Sequence, residues 1–100
     1  MTHLYTLFTE DVNRKAIESA LRNHFSGFTL SSAIGYWQGD REASLRIEVS
    51  LPDASNEPYL AASEIAAVNH QQSVLVTHSL VESTFVTATG PVGVSEWKAA

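Results

Sequence analysis

The sequence predicts an α+β domain: a four-stranded antiparallel sheet with two helices packed on one of its faces. Three observations predict it. Two segments, within residues 9–25 and 59–71, repeat apolar side chains at helical spacing. Between them, residues 28–51 read as two long alternating strands around a short polar turn, a β-hairpin. A β-prone run precedes the first helix and another follows the second. The order is β-α-β-β-α-β. Right-handed crossovers fold that order into the ferredoxin-like βαββαβ sandwich.

"HLYTLF", residues 3–8, is the first strand, with Leu4, Thr6 and Phe8 on one face and His3, Tyr5 and Leu7 on the other. In "TEDVNRKAIESALRNHF" the stripe is Val12, Ala16, Ile17, Ala20, Leu21 and His24 or Phe25, opposite Asn13, Arg14, Glu18, Ser19 and Arg22. Thr9 or Asp11 is placed to cap this helix, Glu10 suits its positive end, and Gly27 stops it.

"GFTLSSAIGYWQG" separates Phe28, Leu30, Ile34 and Tyr36 from Thr29, Ser31, Ala33, Gly35 and Trp37. "QGDRE" is the turn, centred on Gly39 and Asp40. In "ASLRIEVSL" the residues Leu45, Ile47, Val49 and Leu51 alternate with Ser44, Arg46, Glu48 and Ser50. Pro52 ends that strand. Ser55 or Asn56 caps the second helix, Pro58 fits its first turn, and its stripe is Leu60, Ala61, Ile65 and Val68.

"SVLVTHSLVESTFVTA" is β-rich throughout, as one long strand or two short ones meeting near Ser79. The domain is expected to span residues 1–88. Residues 89–100 read as a tail or a subunit-spanning arm, with turns at Gly90-Pro91 and Gly93 and Trp97 as an anchor.

Composition removes several classes of function. A net charge of −5 and six Lys and Arg, adjacent only at Arg14-Lys15, give no field for nucleic acid or an anionic membrane. The absence of cysteine removes disulfides, thiolate nucleophiles and Cys-based zinc sites. "MTHLYTLFTED" carries neither a basic n-region nor an apolar h-region, so a cytoplasmic location is expected.

No cofactor is expected. The four histidines, His3, His24, His70 and His78, form no H-x-H or H-x₃-H pair. His3 and His78 fall on the first and last strands, which need not be neighbours, so a metal site would have to assemble across subunits. Glu10 and Asp11 are read as serving the helix end rather than acid–base chemistry, and Arg14-Lys15 as a solvated face. "TGPVGV" is no G-x-G-x-x-G loop, and no G-x-S-x-G elbow exists.

If Leu45, Ile47 and Val49 meet the helices, then Trp37, Arg46 and Glu48 share the uncovered face of the sheet. An aromatic ring beside an Arg-Glu pair is interface chemistry. Tyr36, Trp37, Arg41, Glu42, Arg46 and Glu48 are therefore the candidate ligand-binding or interface residues.

The stretch "GYWQGDREASLRIEV", through Tyr36, Trp37, Gly39, Glu42 and Leu45–Val49, resembles the CutA/PII-like group of small ferredoxin-like proteins, and the layout matches over residues 4–87. The resemblance implies a compact trimer whose hairpins cross neighbouring subunits, with ligands, often nucleotides, in the clefts between them. The chain departs from the group in three ways. It lacks the early cysteine of CutA proteins, the long loop of PII proteins between the second and third strands, and their phosphate-holding basic residues.

The expected function is a small oligomeric, trimeric binding or regulatory protein that holds a small ligand, nucleotide or ion between subunits. A nucleotide-sequestering protein of the kind phages encode is one variant. Two alternatives stand beside it. One is a cofactor-free small enzyme whose open-face pocket is lined by His3, His78, Tyr36 and Trp37. The other is a purely structural oligomer.

Overall fold

The computed structural model describes residues 1–91. The chain forms β1 (Thr2–Glu10), α1 (Arg14–His24), β2 (Thr29–Trp37), β3 (Asp40–Leu51), α2 (Glu57–Val68) and β4 (Leu75–Val81), followed by the two-residue strands β5 (Val86–Thr87) and β6 (Gly90–Pro91). The main sheet has the order β2-β3-β1-β4, antiparallel at every pairing. This is the expected ferredoxin-like α+β fold.

Strand pairing decides what is buried. Thr9, Leu7 and Tyr5 of β1 stand opposite Leu45, Ile47 and Val49 of β3. Residues directly opposite share a face, and Tyr5, Leu7, Leu45, Ile47 and Val49 are all buried. α1 adds Ile17, Ala20, Leu21 and Phe25, and α2 adds Ala61, Ala62 and Ile65. Every buried strand residue of this cluster has the same parity, so both helices lie on one face. The alanines of α2 hold it close to the sheet. Each fully buried Leu or Ile contributes roughly 1.5–3 kcal/mol relative to exposure.

His24, the last residue of α1, joins the helices. Its Nδ1 lies 2.6 Å from Glu57 Oε2 and its Nε2 lies 2.8 Å from Glu64 Oε2. The two glutamates lie two turns apart on α2, one for each ring nitrogen. The carboxylates raise the His24 pKa above its ordinary 6.5, Glu57 more than Glu64.

Several boundaries differ from expectation, each for a local reason. Thr9 and Glu10 belong to β1, because its pairing with β3 runs on to Glu10↔Ser44 and the Asp11 N–H still donates to the Ala43 carbonyl at 2.9 Å. α1 therefore opens later, after Asn13, which makes no side-chain cap. Asp11 instead takes a two-pronged ion pair with Arg14, at 3.1 and 2.7 Å, whose hydrogen bond lowers the Asp11 pKa. Val12 is left in solvent.

α1 ends at His24, where Phe25 turns extended and reaches the core, so Gly27 is not its stop. On α2 Leu60 is exposed and Pro58 is buried in its place. Ser55 accepts a hydrogen bond at 3.0 Å from the Glu57 N–H, although Asn56 holds the cap position.

The hairpin turn is Gln38-Gly39, not Gly39-Asp40: Trp37 pairs with Asp40, and both central residues have positive φ, 51° and 86°. A two-residue type I′ turn requires that conformation. The last β-rich run breaks after Val81 rather than at Ser79. β5 and β6 form a separate small hairpin across Ala88-Thr89. Gly93, Val94 and Trp97 lie outside the described residues.

Two measurements check this architecture. Ile47→Ala, at the centre of the core, should cost about 2–5 kcal/mol in urea denaturation. The His24 bridge should titrate. Because its folded pKa is raised, its stabilisation is fully present below the unfolded pKa and lost as pH rises through the folded one. The stability gap between wild type and His24→Ala should be larger near about pH 5.5 than near about pH 9. With both carboxylates around half exposed, the change should be on the order of 1 kcal/mol.

Candidate functional site on the open sheet face

The other parity of the sheet faces away from the helices. Thr6 and Phe8 of β1, Arg46 and Glu48 of β3, Ser31 and Trp37 of β2, and Leu75 and Thr77 of β4 share it by register. Phe8, Trp37 and Leu75 are exposed there, Trp37 at 57% and Leu75 at 61%. Large aromatic and aliphatic groups in the open on one face mark a contact or ligand surface.

These side chains wall a cleft of about 570 Å³. Phe8, Trp37 and Leu75 supply its apolar lining, Gly35 and Ser44 its sheet floor, and Gln71 and Ser73 its polar rim. Gly35 is suited to the floor because a Cβ there would meet Ser44 Oγ at 2.5 Å. Glu10 and Glu42 add two carboxylates, and the lining includes no Lys, Arg or His. The cleft offers flat apolar contact, amide and hydroxyl hydrogen bonds, and negative charge.

The rim is held by Asn69, the C-cap of α2. Its Nδ2 lies 3.2 Å from Thr9 Oγ1, 3.0 Å from the Glu10 carbonyl and 2.8 Å from Gln71 Oε1. The Thr9 hydroxyl donates to Gln71 Oε1 at 2.7 Å, and Gln71 Nε2 donates to the Ser73 carbonyl at 2.7 Å. This ties the connection before β4 to the end of β1. Three acceptors surround Nδ2, which fixes the Asn69 amide and leaves its Oδ1 buried without a partner.

The expected site residues separate into three sets. Tyr36, Trp37 and Glu42 line the cleft. Arg46 and Glu48 lie farther along the same face as a loose ion pair, Nε to Oε1 3.7 Å. Arg41 pairs directly with Tyr36 at the hairpin tip and has the parity of Leu45, not that of Trp37. Phe8, Gln71, Ser73 and Leu75 were not singled out by sequence. The parity of Phe8 with Thr6, away from Tyr5 and Leu7, was the available signal for it.

The pocket of His3, His78, Tyr36 and Trp37 does not assemble on the open face. His78 is opposite Tyr5, and His3 has Tyr5's parity, so both histidines belong to the helix-side parity. Nor are their strands apart: β1 and β4 are neighbours. Among the described residues no group of three or more His, Cys, Asp or Glu is placed to hold a metal ion.

No known family profile matches the chain, and no curated protein matches it by sequence. Its fold recurs in solved structures. A DUF3240 family protein from Shewanella baltica OS155 superposes with a TM-score of 0.66 at 17% identity, covering 87% of this chain and 97% of that one. CPII, a nitrogen regulatory PII-like protein from Thiomonas intermedia K12 bound to ADP, AMP and bicarbonate, gives a TM-score of 0.58 at 14% identity, covering 84% and 96%. The chain thus shares the fold of a PII-like protein.

Substitution of Asn69 tests the rim. Asn69→Ala should cost about 1–3 kcal/mol by stranding buried partners. Asn69→Asp should cost more at neutral pH, because a carboxylate would face three acceptors. Its deficit should shrink on acidification as the carboxyl protonates, read by urea denaturation across pH.

Proposed function

We propose that the protein is an oligomeric PII-like binding or regulatory module, with a small ligand held where the open face of one chain meets another. The observation that carries this reading is the uncovered cleft around Phe8, Trp37 and Leu75. The shared fold of a nucleotide-bound PII-like protein supports it. A trimer, as the CutA/PII-like resemblance implies, is the assembly proposed, acting in the cytoplasm. Among the described residues no helix is long and apolar enough to cross a membrane.

In this reading Trp37 and Phe8 stack on a flat ring, while Ser44 and Gln71 supply hydrogen bonds. Phosphates need cations that the cleft of one chain lacks. Arg41 and Arg46, which lie just outside it, are the groups a neighbouring chain would bring. The first ligands to test are ADP, AMP and bicarbonate.

Light scattering at micromolar concentration should give three times the chain mass, and Trp37→Ala should shift it toward monomer. Saturating ligand should raise the melting temperature, since a hundredfold excess over Kd stabilises by about 2.7 kcal/mol. A monomer unaffected by all three compounds would contradict the reading.

A further inference from the structure

We propose that the cleft beside Trp37 takes a planar organic cation, a flat conjugated group carrying positive charge, held by the indole and by the carboxylates of Glu10 and Glu42. The proposal rests on the reading of this cleft as a ligand site and names the chemistry of its occupant.

Strand register builds the site. On the open face Glu42 of β3 stands opposite Gly35 of β2, and Ser44 stands between Ala33 of β2 and Glu10 of β1. Trp37 pairs with Asp40, so it is the diagonal neighbour of Glu42 on the same face. Gly35, Ala33 and Ser44 are small and form a floor. Trp37, Glu42 and Glu10 stand around that floor, and all six residues line the cleft. The small floor leaves room for a ring between the indole and the two carboxylates.

Charge decides which kind of ring. Glu10 and Glu42 are both half-buried, and among the described residues neither forms an ion pair. Asp40, opposite Trp37, adds a third carboxylate beside the indole. Arg41 has the other parity, and Arg46 is engaged by Glu48, Nε to Oε1 3.7 Å. A cleft lined by one sign of charge focuses its field on whatever enters. An uncharged ring would leave the two half-buried carboxylates without a counter-charge, and an anionic ring would be repelled. A cationic ring supplies that charge. Indole is also the aromatic face that attracts a cation most strongly. A planar cation can therefore lie against Trp37 while its edge meets the carboxylates, with Ser44 and Gln71 left to bond its polar substituents.

The test titrates the isotope-labelled full chain, by nuclear magnetic resonance, with three rings of matched shape. They are the 1-methylnicotinamide cation, its uncharged isostere meta-toluamide, and the meta-toluate anion. The indole N–H resonance of Trp37, identified by its loss in Trp37→Phe, reports binding. The cation should bind about tenfold or more tightly than meta-toluamide, and meta-toluate more weakly than either. Glu10→Gln and Glu42→Gln should each reduce this preference, and the double variant should bind cation and amide alike. Dispersed spectra confirm that each variant is folded, and the single variants keep the test alive should the double variant unfold. Equal binding of cation and amide by wild type, or a preference undiminished in the folded variants, would overturn the choice of a cation while leaving the cleft a ligand site. A Trp37 resonance unmoved by all three rings would overturn the ligand reading of the cleft as well.

Discussion

The alignment of Leu7 with Ile47 across β1 and β3 decides the rest of the molecule. Side chains alternate along a strand, so this one alignment sends Tyr5, Leu7, Leu45, Ile47 and Val49 to the helices. The same alignment sends Phe8, Arg46 and Glu48 to the opposite side. A slip of one residue would put Arg46 under α1 and α2 and carry Ile47 into water. The desolvation cost of a buried, unpaired guanidinium rules that state out. The core and the open face are therefore a single choice, locked by the cost of burying one charge.

That choice leaves a sheet half covered. Antiparallel sheets tolerate a solvated face when it is polar. Here the face is polar along the Arg46 and Glu48 stretch and apolar toward the hairpin end, where Phe8, Trp37 and Leu75 gather. The Asn69 amide, bonded to Thr9 and Gln71, fixes the polar rim beside them. The contrast between ends of one face is what favours a partner or ligand at the apolar end. The carboxylates of Glu10 and Glu42 make that end unsuited to bare phosphate without cations from another chain.

Much of this was legible in the sequence, and the reasons for the rest are local. The alternation of residues 44–51 announced β3 and both its faces, since only one parity is apolar. The Ile17, Ala20, Leu21 stripe announced α1. Its start is not legible, because nothing in "TEDVN" reveals that β1 stays paired to β3 through Glu10. α2 is rich in alanine, so its apolar face is weakly drawn, and the spacing points Leu60 inward where Pro58 in fact sits. Gln38 accepts a left-handed φ that its side chain does not advertise. In the site, Trp37 and Glu42 were visible from the hairpin alone. Leu75 and Gln71 depend on β1 and β4 lying side by side, a relation between segments some 70 residues apart.

The proposed assembly covers Trp37 with another copy of the chain. Fluorescence of a Trp97→Phe protein, in which Trp37 is the remaining indole, tests it most directly when read across a dilution series. Burial against a second copy gives blue-shifted emission, shielded from acrylamide, at high concentration, moving red and becoming quenchable as the protein is diluted. Emission at the solvent position with full quenching at every concentration would contradict it.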